Sequence, residues 1–103
     1  MTVVFLNKDL EDLYCKRFSR KYKKVPENVI CKLSKAILYF ESAKTIQNIW
    51  QIGSFHFEKL INTDKYSIRL DIRWRLEMKI DWTDENCTVG IIGLTDLTKH
   101  YGD

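Results

Sequence analysis

A chain of 103 residues carries one domain with a single core and no need of disulfide or metal staples. Its 17 basic and 14 acidic residues leave a net charge of +3, too small an excess to establish nucleic-acid binding, so the placement of the charges matters more than their sum. Cys15, Cys31 and Cys87 lie far apart, form no CxxC pair and leave one over in any disulfide pairing, which argues for reduced thiols in the cytosol and against structural zinc. The N-terminal apolar stretch Val3-Val4-Phe5-Leu6 is too short for a signal h-region or a membrane span, and Lys8 and Asp9 follow at once. A soluble, cytoplasmic chain is the expectation.

Thr2 to Leu6 reads as a short strand, and Asn7 can cap the helix that follows by accepting from an otherwise orphan backbone N–H. Leu10, Leu13, Arg17 and Phe18 then give a stripe at helical spacing. Lys16, Arg17, Arg20, Lys21, Lys23 and Lys24 then fall within nine residues that contain no acid, with Phe18 and Tyr22 interleaved. Both a solvated helix end and a phosphate-contacting surface fit such a run, and the absence of any acid favours contact. Pro26 is placed as the first residue of a second helix, with Glu27 near the positive end of its dipole. Ile30, Leu33, Ile37 and Phe40 recur at helical spacing on the packing face, and Lys32 and Lys35 project away from it. Thr45 can cap one more short helix through Ile46, Ile49 and Trp50, ended by Gly53-Ser54.

The second half reads as extended. From Tyr66 to Trp82 every even position is apolar or aromatic, and every odd position from Ser67 to Asp81 is polar or charged. A period of two means β-structure with one wet face, and here that face carries Arg69, Arg73, Arg75 and Lys79. As a single strand the run would span roughly 55 Å at about 3.3 Å per residue, whereas a domain of this length has a radius of gyration of about 13 Å. It must fold back, and a three-residue loop at Asp71-Ile72-Arg73 keeps Leu70 and Trp74 on one face, although no glycine marks the turn. Asn62-Thr63-Asp64 and Thr83-Asp84-Glu85-Asn86 mark two further loops. Cys87 to Leu94 supplies a last strand in which Gly90 and Gly93 imply a bend or a close backbone approach. The expected architecture is α+β: an antiparallel sheet of three to four strands, helices on one face, and an open charged face opposite.

The two histidines, His56 and His100, bracket this β half, with Lys59 in HFEK and Arg75 in RWRL. Metal-free cleavage of RNA needs a base for the ribose 2′-hydroxyl, an acid for the leaving 5′-oxygen and fixed cations for the phosphorane between them. Histidine suits both proton roles and lysine or arginine the fixed charge. Spacing alone fits equally a solvated His56, a tail His100 and an ion-paired Arg75. His56-Phe57-Glu58 has the His-x-Glu form of a zinc deaminase, but the paired cysteines of such a site are missing.

The segment HFEKLINTDKYSIRLDIRWRL resembles the pattern of His-x-x-Lys, Tyr-Ser-Ile-Arg and Trp-Arg in HigB-type toxins of the RelE/ParE superfamily, and the likeness extends from the first strand through KYKKVP and the long helix to DLTKHYG. Where that family has glycines after the lysine and before the Tyr-Ser-Ile strand, this chain has Leu60 and Lys65. The resemblance implies a RelE-like fold and a single domain over residues 1–103. It implies a ribosome-dependent, metal-independent mRNA endonuclease, needing no cofactor and acting as the toxin of a type II toxin-antitoxin pair. Its implied partners are the ribosome, mRNA and a HigA-like helix-turn-helix antitoxin through which the complex binds operator DNA, with no membrane involved. Carried over by position, His56 and His100 would be the proton-transfer pair, and Lys59 and Arg75 would stabilise the transition state. Arg69, Arg73, Lys79, Lys21, Lys23, Lys24 and Tyr101 are candidate RNA contacts. Trp74 and Trp82 lie on the apolar parity and belong to the core. A ParE-like protein that binds DNA gyrase and cuts no RNA is the alternative on the same scaffold.

Overall fold

The computed structural model describes residues 1–99. In chain order it comprises β1 (Thr2–Phe5), α1 (Lys8–Lys16), α2 (Glu27–Ser42), α3 (Ile46–Trp50), a 3-10 turn at Gly53–Phe55, β2 (Glu58–Lys59), β3 (Lys65–Arg69), β4 (Trp74–Trp82) and β5 (Gly90–Lys99). The strands form one sheet in the order β1-β5-β4-β3-β2. The sheet has five strands rather than three to four, and it is not wholly antiparallel, because β1 runs parallel to β5. Local pattern cannot reveal that pairing: its partners, Thr2 with Ile91 through Phe5 with Leu94, are almost the full chain apart. No helix among the described residues is long and apolar enough to cross a membrane.

All helices contribute to one core against the even-numbered face of the sheet. Leu10, Leu13, Leu33, Ile37 and Phe40 from the helices meet Ile68, Leu76, Met78, Ile92 and Leu94 from the strands, and Trp74 and Trp82 pack at its margin. The expected turn is present at Asp71–Arg73. Asp71 makes it without glycine, its Oδ1 accepting from the backbone N–H groups of Arg73 and Trp74 at 2.8 and 2.7 Å, a side chain standing in for a backbone turn. Asp84 orders the β4–β5 loop in the same way, accepting from the N–H groups of Thr88 and Val89. The hydrogen bonds of Asp84 hold its carboxyl below the usual carboxylate range, the Thr88 side chain contributing most.

Several local expectations shift. Pro26 is the N-cap of α2, extended at ψ 152°, rather than its first helical residue. Helix α1 stops at Lys16 with Arg17 in the left-handed region at φ 58°, which turns Phe18 away from the stripe and leaves it 63% exposed. The last strand begins at Gly90, not Cys87, and runs on to Lys99. Both glycines mark close approach: a Cβ on Gly93 would sit 2.6 Å from Leu6 Cδ1, and one on Gly90 2.7 Å from the Asp81 carbonyl oxygen. At the start of α3, Asn48 Oδ1 reaches back to the Thr45 N–H at 3.1 Å.

Strand β5 carries a bulge at Thr95, since Glu77 pairs with Asp96 while Met78 pairs with Leu94. Leu94 and Leu97 therefore both face the core, and Asp96 and Thr98 both face out. Asn7 locks this irregularity. Its Oδ1 caps α1 through the Asp9 and Leu10 N–H groups, while its Nδ2 donates to the Thr95 carbonyl at 2.9 Å and to the Tyr22 hydroxyl at 3.0 Å. Asn7→Asp keeps the capping oxygen and removes both donors, so it is expected to cost about 1–3 kcal/mol. The check is a lower urea midpoint with an unchanged m-value.

Candidate functional site

The face opposite the helices is a grid of charges set by strand register. One row places Arg69 directly opposite Arg75, with Thr98 beyond it; the next aligns Glu58, Ser67, Glu77 and Asp96. Like charges directly opposite one another on a sheet repel. Glu58 offsets one of the two guanidiniums: its Oε1 lies 3.4 Å from Arg75 Nη1, and the Arg75 side chain is only 15% exposed. Arg69 keeps no ion-pair partner among the described residues.

In the middle of the face one lysine is shared by two carboxylates, so no positive charge is left free there. Lys65 Nζ sits 2.8 Å from Asp96 and 3.5 Å from Glu77, and Glu77 accepts from the Thr98 hydroxyl at 2.9 Å. The hydrogen bond to Asp96 raises the Lys65 pKa above its ordinary value, with the charges of Asp96 and Glu77 adding to it against the cost of burial. Lys65 is thus held in its charged form by the two carboxylates. Lys79 pairs with Asp64 at 3.7 Å in an exposed contact, of the kind worth only a fraction of a kcal/mol. Free positive charge therefore concentrates at the β3–β4 hairpin end, where Arg69 and exposed Arg73 stand beside the Arg75–Glu58 pair.

The sequence-derived residues distribute unevenly around this pair. Lys59 pairs with Tyr66, and through it with Met78, so alternation points it to the helix side of the edge strand while Glu58 and Arg75 share the open face. It is exposed there. His56 is also exposed, in the left-handed region at φ 46°, and ends the 3-10 turn two residues before Glu58. His100 and Tyr101 lie outside the described residues; the last described residue, Lys99, pairs with Trp74. In the basic run, Lys16 is tied to Asp12 and Arg17 to Glu27, leaving Arg20, Lys21, Lys23 and Lys24 exposed without ion pairs among the described residues. Tyr22 is buried and hydrogen-bonded to Asn7, an anchor for that loop rather than a surface aromatic.

Sequence reasoning missed Glu58. No local pattern marks it: Glu58 shares a face with Ser67 and Arg75 only through the pairing of Lys59 with Tyr66, a register that the tertiary structure sets. Among the described residues no group of three or more His, Cys, Asp and Glu side chains is arranged to hold a metal ion.

No family model and no curated protein matches the chain. Solved structures do. The YoeB/ParE toxin from Agrobacterium tumefaciens is similar at a TM-score of 0.56 and 12% identity, over 98% of this chain and 100% of that one. The YoeB-YefM complex from Staphylococcus aureus is similar at a TM-score of 0.50 and 19% identity, over 98% of both chains. This chain has the fold of the YoeB/ParE toxins. The RelE-like α+β architecture expected from the sequence is thereby met, with five strands in place of three to four.

On this toxin-like scaffold the Lys65 cluster provides a pH test. A lysine whose folded pKa is raised contributes stability that is fully present below its unfolded value of 10.5 and is lost as pH rises through the higher folded value. Thermal melts between pH 9 and 12 should show a stability loss above pH 10.5 that Lys65→Met flattens. At neutral pH the same variant should melt lower, because Glu77 and Asp96 then oppose each other without a cation.

Proposed function

We propose that the chain is the toxin of a type II toxin-antitoxin pair, of the HigB type, and that it cleaves mRNA on the ribosome without a metal. The observation that carries this reading is the half-buried Arg75 guanidinium held by Glu58 on an uncovered sheet face, on a scaffold shared with toxin structures. Sequence motifs supply the HigB assignment, and the ribosome, a HigA-like antitoxin and operator binding through that antitoxin follow from it. Cytoplasmic action follows as well.

In the reaction the ribose 2′-oxygen attacks the adjacent phosphorus as its proton passes to a base, the bond to the 5′-oxygen breaks, and an acid protonates that leaving oxygen. A 2′,3′-cyclic phosphate and a 5′-hydroxyl result. Arg75 takes the phosphorane charge, a role in which one well-placed donor is worth about 10²–10³ in rate. Glu58, on the same face, and His56, two residues earlier, are the described groups able to accept the 2′-proton, and His100 serves as the other member of the proton-transfer pair. Lys59, on the opposite side of the edge strand, and Tyr101 bind the flanking message. Arg69, Arg73 and Lys79 contact the strand near the cut, and Lys21, Lys23 and Lys24 contact ribosomal RNA.

Arg75→Ala should reduce cutting of a translated message by about 10²–10³ while leaving the circular dichroism spectrum unchanged. Primer extension reads the cuts, and undiminished cleavage removes Arg75 from the mechanism. A supercoiling assay run in parallel separates the ParE-like alternative, which predicts gyrase inhibition and an intact message. Replacing Lys21, Lys23 and Lys24 together should flatten the salt dependence of ribosome association by about 0.9 log unit per lost phosphate contact, taking the duplex slope. An unchanged slope would return that loop to solvated surface.

A further inference from the structure

A cavity of about 300 Å³ lies between α2, the 3-10 turn and the β3–β4 hairpin, and of its lining only Arg69 has a role in the reaction described above. Lys32 and Lys35, neighbours one turn apart on α2, line it together with Arg69. Tyr39 and Phe55 form an apolar wall, their rings edge to face at 5.8 Å, with Tyr39 half-exposed. Among the described residues none of the three cations has an ion-pair partner. One acid, Asp71, also borders the cavity, but its Oδ1 is committed to two backbone N–H groups of its own turn.

Arg69 links the groove to the open face, since it lines the one and pairs across strands with Arg75 on the other. Strand β2 covers only Tyr66 and Ser67 of β3, so the edge of β3 beyond Ser67 has no strand partner. Arg69 stands at that bare edge, opposite Arg75 on one side and lining the cavity on the other. Directly opposed residues place their Cβ atoms about 5 Å apart, so a chain of phosphates leaving Arg75 meets Arg69 next.

We propose that this groove holds the single-stranded RNA adjoining the scissile linkage, with one base against Tyr39 and Phe55 and backbone phosphates on Arg69, Lys35 and Lys32. The proposal rests on the reading of the Arg75 face as the cutting site. Unpaired cations track a phosphate backbone, and aromatic side chains hold splayed bases without regard to sequence. The volume sits at the lower end of the range for small-molecule sites, the scale of a single nucleotide rather than a folded partner.

The test is fluorescence anisotropy with a fluorescein-labelled 2′-O-methyl octauridine, which lacks the attacking hydroxyl and so survives. Lys32→Gln with Lys35→Gln should weaken binding at least tenfold at low salt and reduce the slope of log affinity against log salt by about 1.4, at 0.7 per single-strand contact. Tyr39→Leu should weaken binding about five- to a hundredfold with the slope preserved, the mark of a lost stack rather than a lost charge. Arg75→Ala should slow cutting of a translated message by about 10²–10³ and lower the octauridine salt slope by only about 0.7, one contact, with the Tyr39→Leu effect preserved in that background, which separates groove from cutting site. Unchanged affinity and slope in the double lysine variant overturn the proposal. So does displacement of the RNA by a hexaglutamate peptide combined with no effect of Tyr39→Leu, which would give the groove to an acidic protein. If Arg75→Ala still cuts while the groove variants lose octauridine, the cutting-site reading fails and the groove remains an RNA site.

Discussion

The hydrogen bond from Asn7 Nδ2 to the Thr95 carbonyl holds the bulge on which the charged face depends. Without the extra residue, alternation along β5 would turn Asp96 and Thr98 into the core and Leu97 out into solvent. With it, three inward leucine and isoleucine side chains are kept while two polar ones join Glu77, Lys65 and Arg75 outside. The same asparagine caps α1 and pins Tyr22, so the start of the helical layer, the basic loop and the middle of the sheet are fixed by one amide.

The open face follows an electrostatic logic in which neutralisation is local and the surplus is displaced to one end. Lys65 is shared by two carboxylates, Lys79 pairs with Asp64, and Glu58 pairs with Arg75. What remains, Arg69 and Arg73, lies at the β3–β4 hairpin next to the Arg75–Glu58 pair. A small net charge is therefore compatible with a polyanionic substrate, because the field a phosphate meets depends on how the cations cluster and not on the sum over the chain. Arg75, half-buried, has fewer positions available to it than an exposed arginine, which suits a group that must meet a developing charge rather than follow it.

Fold and function separate on this scaffold. The likeness to YoeB/ParE toxin structures extends over nearly the whole chain at identities of 12% and 19%, which speaks to architecture. Chemistry has to be argued from the side chains on the sheet. There the structure rearranges what the linear motifs suggest: in HFEK it is the glutamate that shares a face with the arginine, while the lysine beside it points to the other side of the edge strand.

Features governed by near neighbours could be read from residue order alone. Asn7 as a cap, the stripe of Ile30, Leu33, Ile37 and Phe40, the reversal at Asp71–Arg73 and the wet and dry faces of β3 and β4 each depend on contacts within a turn or on a repeat of two or 3.6 residues. Tertiary structure alone decided the parallel docking of β1 on β5, the bulge at Thr95, the partnership of Glu58 with Arg75 and the meeting of Lys32, Lys35 and Arg69 around one groove. Each of these joins residues distant in sequence, and their register is set by how the whole core packs, a constraint that no local pattern carries.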